Sequence, residues 1–247
     1  MQSLTPHTRR YHRAATLGPA FLLLRNINNF YLFLNRIPNY FSGTYQVTFV
    51  TVNVKIPTFD TASLLMSINN WIVIQQRLDG SLSFYQNWTV YKEGFGNISK
   101  NFWLGLEKMH QLTTNAPYRL RIEVQSVKED KWFSAEYDSF LITSESRGYA
   151  LDVSGYVGDA GDALRSFNNS AGTCQNGMKF STYDRDNDMY TSSCAVAYTS
   201  GYWFNKCYCS CLNCVYNTTD FTWKALSDLK PIVSAQLKAS RMMMKAF

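Results

Sequence analysis

The chain has 247 residues, 46% hydrophobic and 17% charged, which excludes wholesale disorder and leaves room for one large or two small domains. Aromatic residues reach 15%, a composition that points to an aromatic-rich β or α+β domain and away from a helical bundle. The net charge of +6 is uneven: before Asp60 there is no acidic residue but there are Arg9, Arg10, Arg13, Arg25, Arg36 and Lys55, while the remaining 18 basic and 18 acidic residues balance, which argues against a nucleic-acid-binding body.

Residues 1–40 show no clean period and read as a basic leader, either a targeting signal or an unstructured segment, with a binding arm as the alternative. Arg9, Arg10 and Arg13 could open a signal peptide, but Gly18 and Pro19 interrupt AATLGPAFLLL and no small-x-small cleavage site follows Arg25. No apolar run reaches the ~18 residues that a bilayer demands, so no membrane span is expected. YQVTFVTVNVKI, 45–56, reads as strand, and WIVIQQRL, 71–78, as a second, with a turn at Asp79-Gly80. SFYQNWTVYKEGFGN, 83–97, holds a helical turn before Gly94, and LEKMHQLT, 106–113, has helical spacing at Leu106, Met109, His110 and Leu112. YRLRIEVQ, 118–125, alternates strictly and is a strand, as are WFSAEYDSFLIT, 132–143, and YALDVS, 149–154. After Ser154 the regularity fades into Gly-, Asn- and Asp-rich loops. VSAQLKASRM, 233–242, alternates again, with Val233, Ala235, Leu237 and Ala239 on one face.

Chemistry-bearing residues concentrate in the last third. Asp184, Asp186 and Asp188 alternate, and three carboxylates this close repel unless a cation sits among them; hard oxygen ligands suit Ca²⁺, and a solvated turn is the alternative. Met189 and Ala195 stand where an EF-hand starting at Asp184 needs Gly and Glu, so an EF-hand is excluded. All six cysteines begin at Cys174, and four of them, Cys207, Cys209, Cys211 and Cys214, fall within eight positions. Disulfides are the leading reading. A zinc site would want two separated Cys/His pairs, yet His7, His12 and His110 all lie far away in sequence; a redox module remains a further alternative. Gly155, Gly158 and Gly161 lack a following Lys-[ST] and read as turns rather than a phosphate loop. Sequons at Asn87, Asn97, Asn168 and Asn217 are glycosylation candidates, and with the even cysteine count they tilt toward an extracellular, secreted, disulfide-bonded glycoprotein.

WIVIQQRLDGSLSFYQNWTVYKEGFGN with FWLGLEKMHQLT, then AEYDSFLITSESRGYALDVSGYVGDAGDAL, then NGMKFSTYDRDNDMYTSSCAVAYTSGYWFNKCYCSCLNCVY, resemble in unbroken order the fibrinogen C-terminal (fibrinogen-related) domain family, ficolins and tachylectins included. The resemblance runs from about residue 71 to 242. It implies an α+β fold with a central antiparallel sheet, short helices and a loop-rich C-terminal subdomain. The expected organisation is a leader, 1–40, and a domain, 41–247, divided into 41–75, 76–165 (sheet) and 166–247 (calcium and ligand). It further implies a Ca²⁺ held by the Asp186 and Asp188 side chains and the Tyr190 and Ser192 carbonyls, with Asp184 outside the ligand set. A Cys194–Cys207 disulfide is implied, with a cis peptide at Lys206–Cys207. Cys174, Cys209, Cys211 and Cys214 are left for two further bridges. In lectin-like members the implied pocket, here Tyr198, Trp203, Cys207 and Tyr208, takes N-acetyl groups of sugars.

The sequence departs from the family pattern where Tyr202 replaces the first Trp of a pair, Tyr208 replaces a His, and only NTTDFT, 217–222, separates Tyr216 from Trp223. The family's N-terminal cysteine pair is missing, and SLLMSINN stands in place of its glycine-rich stretch. The resemblance implies a binding module, not an enzyme. The leading expectation is a calcium-dependent lectin for acetylated glycans in innate immunity. The alternative is an adhesion, matrix or receptor-ligand protein that binds a cell-surface or matrix protein on the same scaffold. No nucleic acid partner is expected. No collagen-like or coiled-coil pattern is read in the chain, so a homo-oligomer would need another device for avidity.

Overall fold

The structure, a computed structural model, describes residues 47–52, 63–166, 174–229 and 234–247. The leader 1–40, the sequon at Asn168 and Val233 lie outside them. Strand β1, Val47–Val52, falls within the first expected strand and pairs antiparallel with β2, Ser63–Ile68. β2 is the SLLMSI segment, where no strand was expected. Asn69 and Asn70, at φ 50° and 67°, turn it directly into β3, Trp71–Arg77. A two-residue loop with both residues left-handed suits the twist of a hairpin, and asparagine tolerates that conformation. The division expected at 75/76 therefore falls inside a strand.

Helix α1, Trp88–Glu93, is capped by the Asn87 side chain, which accepts from the Val90 N–H. Short strands β4, Phe95–Gly96, and β5, Phe102–Trp103, precede helix α2, Leu106–Asn115. Gly94 and Gly105 bring the end of α1 against the start of α2. Both have φ near +100°, and a Cβ on either would sit 2.3 Å from the Leu104 carbonyl oxygen or 2.6 Å from that of Glu93. Only glycine fits such an approach. β6, Tyr118–Ser126, β7, Trp132–Ile142, and β8, Leu151–Gly158, form a meander, and β8 continues four residues past Ser154, where the alternation had been read as ending. β9, Ser210–Cys211, pairs antiparallel with β10, Thr222–Trp223, in a separate two-stranded sheet, and the last strand, β11, Leu237–Ala246, slots between β3 and β6. Of the expected alternation, Ala235 precedes the strand and Leu237 opens it. Among the described residues the sheet has nine strands, ordered β1-β2-β3-β11-β6-β7-β8, with β5 pairing β3 and β4.

Met242 pairs with Gln75 and Met243 with Val73, so Ile74 is an extra residue in β3. A bulge of this kind re-aims the side chains after it. Val73 and Met243 join a small cluster on one face, whereas Ile74, Met242 and Met244 enter the main core. Past the bulge, Gln75 and Arg77 reach the loop-rich region. The Gln75 amide donates to the Leu212 carbonyl (2.9 Å) and the Asn213 side chain (3.2 Å). The Arg77 guanidinium donates to the carbonyls of Leu212 (3.4 Å) and Cys214 (3.1 Å) and lies 4.1 Å from the Phe84 ring centroid. Arg77 is fully buried, and burial pulls its pKa down to about 10. On β6 and β11, Glu123 binds Arg241 and Arg121. Burial opposes ionisation of Glu123, but the two arginines outweigh it and hold its carboxyl below the usual range.

Two outcomes follow from these buried polar groups. Arg77→Ala leaves the Cys214 carbonyl without its donor and opens a cavity, so guanidinium denaturation should show a loss of about 3 kcal/mol. Glu123→Gln uncouples Arg241 from its charge partner and should cost about 3 kcal/mol at neutral pH. A depressed carboxyl pKa stabilises the fold above the unfolded value, near 4.3, and that contribution is lost as pH falls through the folded value. The gap between wild type and Glu123→Gln should therefore narrow on acidification; a constant gap in urea melts from pH 7 to pH 3 contradicts it.

Candidate functional site

The expected calcium loop has little regular structure, and side chains order it. Asp184 lies at its leading end, where its Oδ1 accepts from the Trp88 N–H (2.9 Å) and from the Thr182 hydroxyl (2.7 Å). Asp186 Oδ1 accepts from the Asp188 N–H at 3.2 Å. Asp188 accepts from the N–H groups of Tyr190 and Cys194, both at 2.8 Å, and so ties the loop to helix α3, Cys194–Ala197. Burial, together with the nearby charge of Asp186, pushes the Asp188 carboxyl above its usual range. Among the described residues neither Asp186 nor Asp188 forms an ion pair, and the main-chain carbonyls of Tyr190 and Ser192 accept no hydrogen bond. Two unneutralised carboxylates and two unused carbonyls within seven consecutive positions, 186–192, form an all-oxygen donor set, which fits Ca²⁺ chemically.

The structure pairs Cys194 with Cys207, Cys174 with Cys209, and Cys211 with Cys214, and no free cysteine is found among the described residues. With every thiol in a disulfide, neither a zinc cluster nor a free-thiol nucleophile is present in the cysteine-rich segment. The Lys206–Cys207 peptide is cis. Asn205 joins the disulfide segment to its neighbours: its carbonyl accepts from the Met189 N–H (3.0 Å), and its side chain donates to the Cys174 carbonyl (3.1 Å).

The residues expected to form an acetyl pocket separate into two groups. Trp203 is a core residue, not a wall. It is fully buried, its indole N–H donates to the Tyr149 carbonyl (2.9 Å), and Phe180 meets it edge-on at 5.2 Å. Tyr198, Cys207 and Tyr208 do come together, but the Tyr198 and Tyr208 rings meet edge to face with centroids 4.8 Å apart. The space between the two rings is thus filled by the rings themselves. Tyr208 is 7% exposed, and its phenol donates to Asp220 (2.7 Å). Burial and the bond to Asp220 push that phenol well above its usual pKa. Lys224 donates to the Tyr208 carbonyl (2.9 Å), and its ammonium lies 4.4 Å from the ring centroid. Burial lowers the Lys224 pKa. The main-chain N–H groups of Cys207 and Tyr208 donate to no described residue. Asp220 and Lys224 were missed from sequence, since neither carries a motif; the only clue was the shortened 217–222 segment that holds Asp220. Of the sequons, Asn87 caps α1, Asn97 accepts from the Ser99 N–H and hydroxyl, and Asn217 is exposed at φ 62°.

The profile of the C-terminal globular domain of fibrinogen beta and gamma chains matches residues 40–246. The chain is 43% identical over 159 residues to the fibrinogen gamma chain of Xenopus laevis, covering 59% of this chain and 36% of that one. It is 44% identical over 137 residues to angiopoietin-related protein 2 of Mus musculus, covering 56% of this chain and 26% of that one. The chain thus spans well under half the length of either relative. Among solved structures it is similar to the lamprey fibrin D-dimer complexed with the peptide ligand Gly-His-Arg-Pro-amide, with a TM-score of 0.68 at 28% identity, over 91% of this chain and 84% of that one. The chain belongs to the fibrinogen C-terminal globular domain family.

Proposed function

We propose that this domain is a secreted, calcium-holding binding module whose partner is a cell-surface or matrix protein, an adhesion or receptor-ligand role rather than a catalytic or sugar-binding one. The observation that carries this reading is the edge-to-face closure of Tyr198 on Tyr208, with Trp203 withdrawn into the core. An acetyl methyl needs an open slot between aromatic faces, and these rings fill it. The free N–H groups of Cys207 and Tyr208 remain able to hold a main-chain carbonyl or carboxylate of a polypeptide. A structurally similar relative, the lamprey fibrin D-dimer, is complexed with a short peptide, which supports the same ligand class here. Three disulfides favour an oxidising, extracellular setting, and no described helix is long and apolar enough to cross a membrane.

Asp186 and Asp188 with the Tyr190 and Ser192 carbonyls would hold the Ca²⁺, whose charge would offset the repulsion between the two carboxylates. The ion is structural in this reading: it fixes the segment between Asp186 and Cys194, and through the Cys194–Cys207 disulfide it steadies the segment that carries Tyr208.

Both parts have direct tests. Calcium at 100 times its dissociation constant should stabilise the domain by about 2.7 kcal/mol, seen as a higher melting temperature by calorimetry, and Asp188→Asn should abolish the gain. Tagged domain should bind cells in a manner lost after trypsin treatment of the cells and kept after enzymatic removal of their glycans, with Lys224→Glu weakening it. Retention on N-acetylglucosamine resin, released by EDTA, would reverse the choice between protein and sugar.

A further inference from the structure

The leading end of the proposed calcium loop is not held by a disulfide. Three consecutive residues, Tyr183, Asp184 and Arg185, instead grip helix α1 and its approach. The Tyr183 ring meets Tyr85 at 4.8 Å. Asp184 Oδ1 takes the first-turn N–H of Trp88 (2.9 Å) and the Thr182 hydroxyl (2.7 Å). The Arg185 guanidinium lies 4.1 Å from the Trp88 ring centroid and 3.5 Å from Glu145 Oε1. Glu145 also accepts from the Trp88 indole N–H (2.8 Å) and from Lys92 (2.6 Å). Trp88 itself is buried and stacks on Tyr149 at 5.7 Å, so the anchor is part of the core. Reciprocal backbone bonds between Thr182 and Arg185 (2.9 and 3.1 Å) close the turn that carries Asp184.

We propose that Asp184 is a positioning residue of the calcium loop: as a hydrogen-bond acceptor, not as a metal ligand, its carboxylate pins the loop to helix α1 and so presents Asp186 and Asp188 to the ion. This rests on the calcium reading above. Asp186 follows Asp184 by two residues, so the chain has little slack in which a shift at one could relax before the other. The trailing end has its own fixed points, the Asp188 bond to the Cys194 N–H and the Cys194–Cys207 disulfide. The lock on α1 supplies the opposite fixed point. A loop held at both ends binds its ion without first having to be ordered, which is the thermodynamic content of preorganisation.

Acceptor and charge are separable, because asparagine keeps the Oδ1 acceptor and removes the charge. The test measures calcium affinity by titration calorimetry for wild type, Asp184→Asn and Asp184→Ala. Alongside it, amide hydrogen exchange is followed in EDTA at Asp188, Tyr190 and Cys194. Asp184→Ala should weaken calcium by about tenfold or more and speed exchange of those amides in the metal-free protein, while amides of β6 and β7 stay protected. Asp184→Asn should remain close to wild type in both. Equal loss in both variants would mean that Asp184 acts through its charge or ligates the ion, and that overturns the proposal. So does an Asp184→Ala variant with unchanged affinity and exchange. If wild type takes up no calcium, the metal assignment fails separately, and the metal-free exchange still decides whether Asp184 orders the loop: unchanged protection in Asp184→Ala rejects it.

Discussion

The loop-rich half of the domain depends on two side chains of β3. Gln75 and Arg77 project past the Ile74 bulge and donate to the carbonyls of Leu212 and Cys214, which are buried and belong to no ladder. A buried carbonyl without a donor is costly, so a segment without long strands or helices can be buried only if side chains supply the missing bonds. The same solution recurs nearby. Gln175 accepts from the Ser210 N–H, Asn213 donates to the Gly201 carbonyl, and Asn205 donates to that of Cys174. The loop-rich half is therefore built on the sheet through buried amides and one buried guanidinium, with the ring of Phe84 against the cation.

The four clustered cysteines distribute the remaining constraint. Cys207 ties the segment to the end of the proposed calcium loop, Cys209 to Cys174, and Cys211 to Cys214. On the chain-entropy account the bridges spanning 13 and 35 residues contribute about 3 and about 4 kcal/mol, and the one spanning three residues contributes less. The short bridge has a local role: it shapes the turn whose carbonyls meet Gln75 and Arg77.

What the sequence disclosed follows the range of the interactions involved. β6 and β7 were legible because alternation of apolar and polar residues is a local signal; in β7 the polar positions are partly exposed, whereas in β6 Glu123 and Gln125 are buried and satisfied by other side chains and the main chain. β2 was missed because its hairpin turn is Asn-Asn rather than a glycine pair, and its segment was read only against a missing glycine-rich pattern. The placement of β11 between β3 and β6 pairs residues more than a hundred positions apart, which no window of sequence reports. Trp203 shows the limit for the site. An aromatic residue beside a cleft motif reads the same whether its ring lines the cleft or fills the core, and here its indole bond to the Tyr149 carbonyl fixes it inside. Asp184, Asp186 and Asp188 stood out together because alternating carboxylates are an electrostatic anomaly that needs an explanation, whereas setting Asp184 apart from the other two came only from the family resemblance.

The departure from the family pattern that most changes the expected pocket is Tyr208. A phenol has one donor, and here it is given to Asp220, while Lys224 takes the Tyr208 carbonyl and covers its ring. Three groups that could have faced a ligand thus satisfy one another, and Tyr198 closes the remaining side edge-on. The polar groups left over belong to the main chain, at Cys207 and Tyr208. Main-chain donors do not distinguish one carbonyl from another. In the proposed protein-binding role, selectivity would come from side chains nearby, and Met189, Tyr190 and Val196 are exposed large apolar groups in the proposed calcium loop and helix α3. Tyrosine and methionine are enriched at protein interfaces, in keeping with that proposed role.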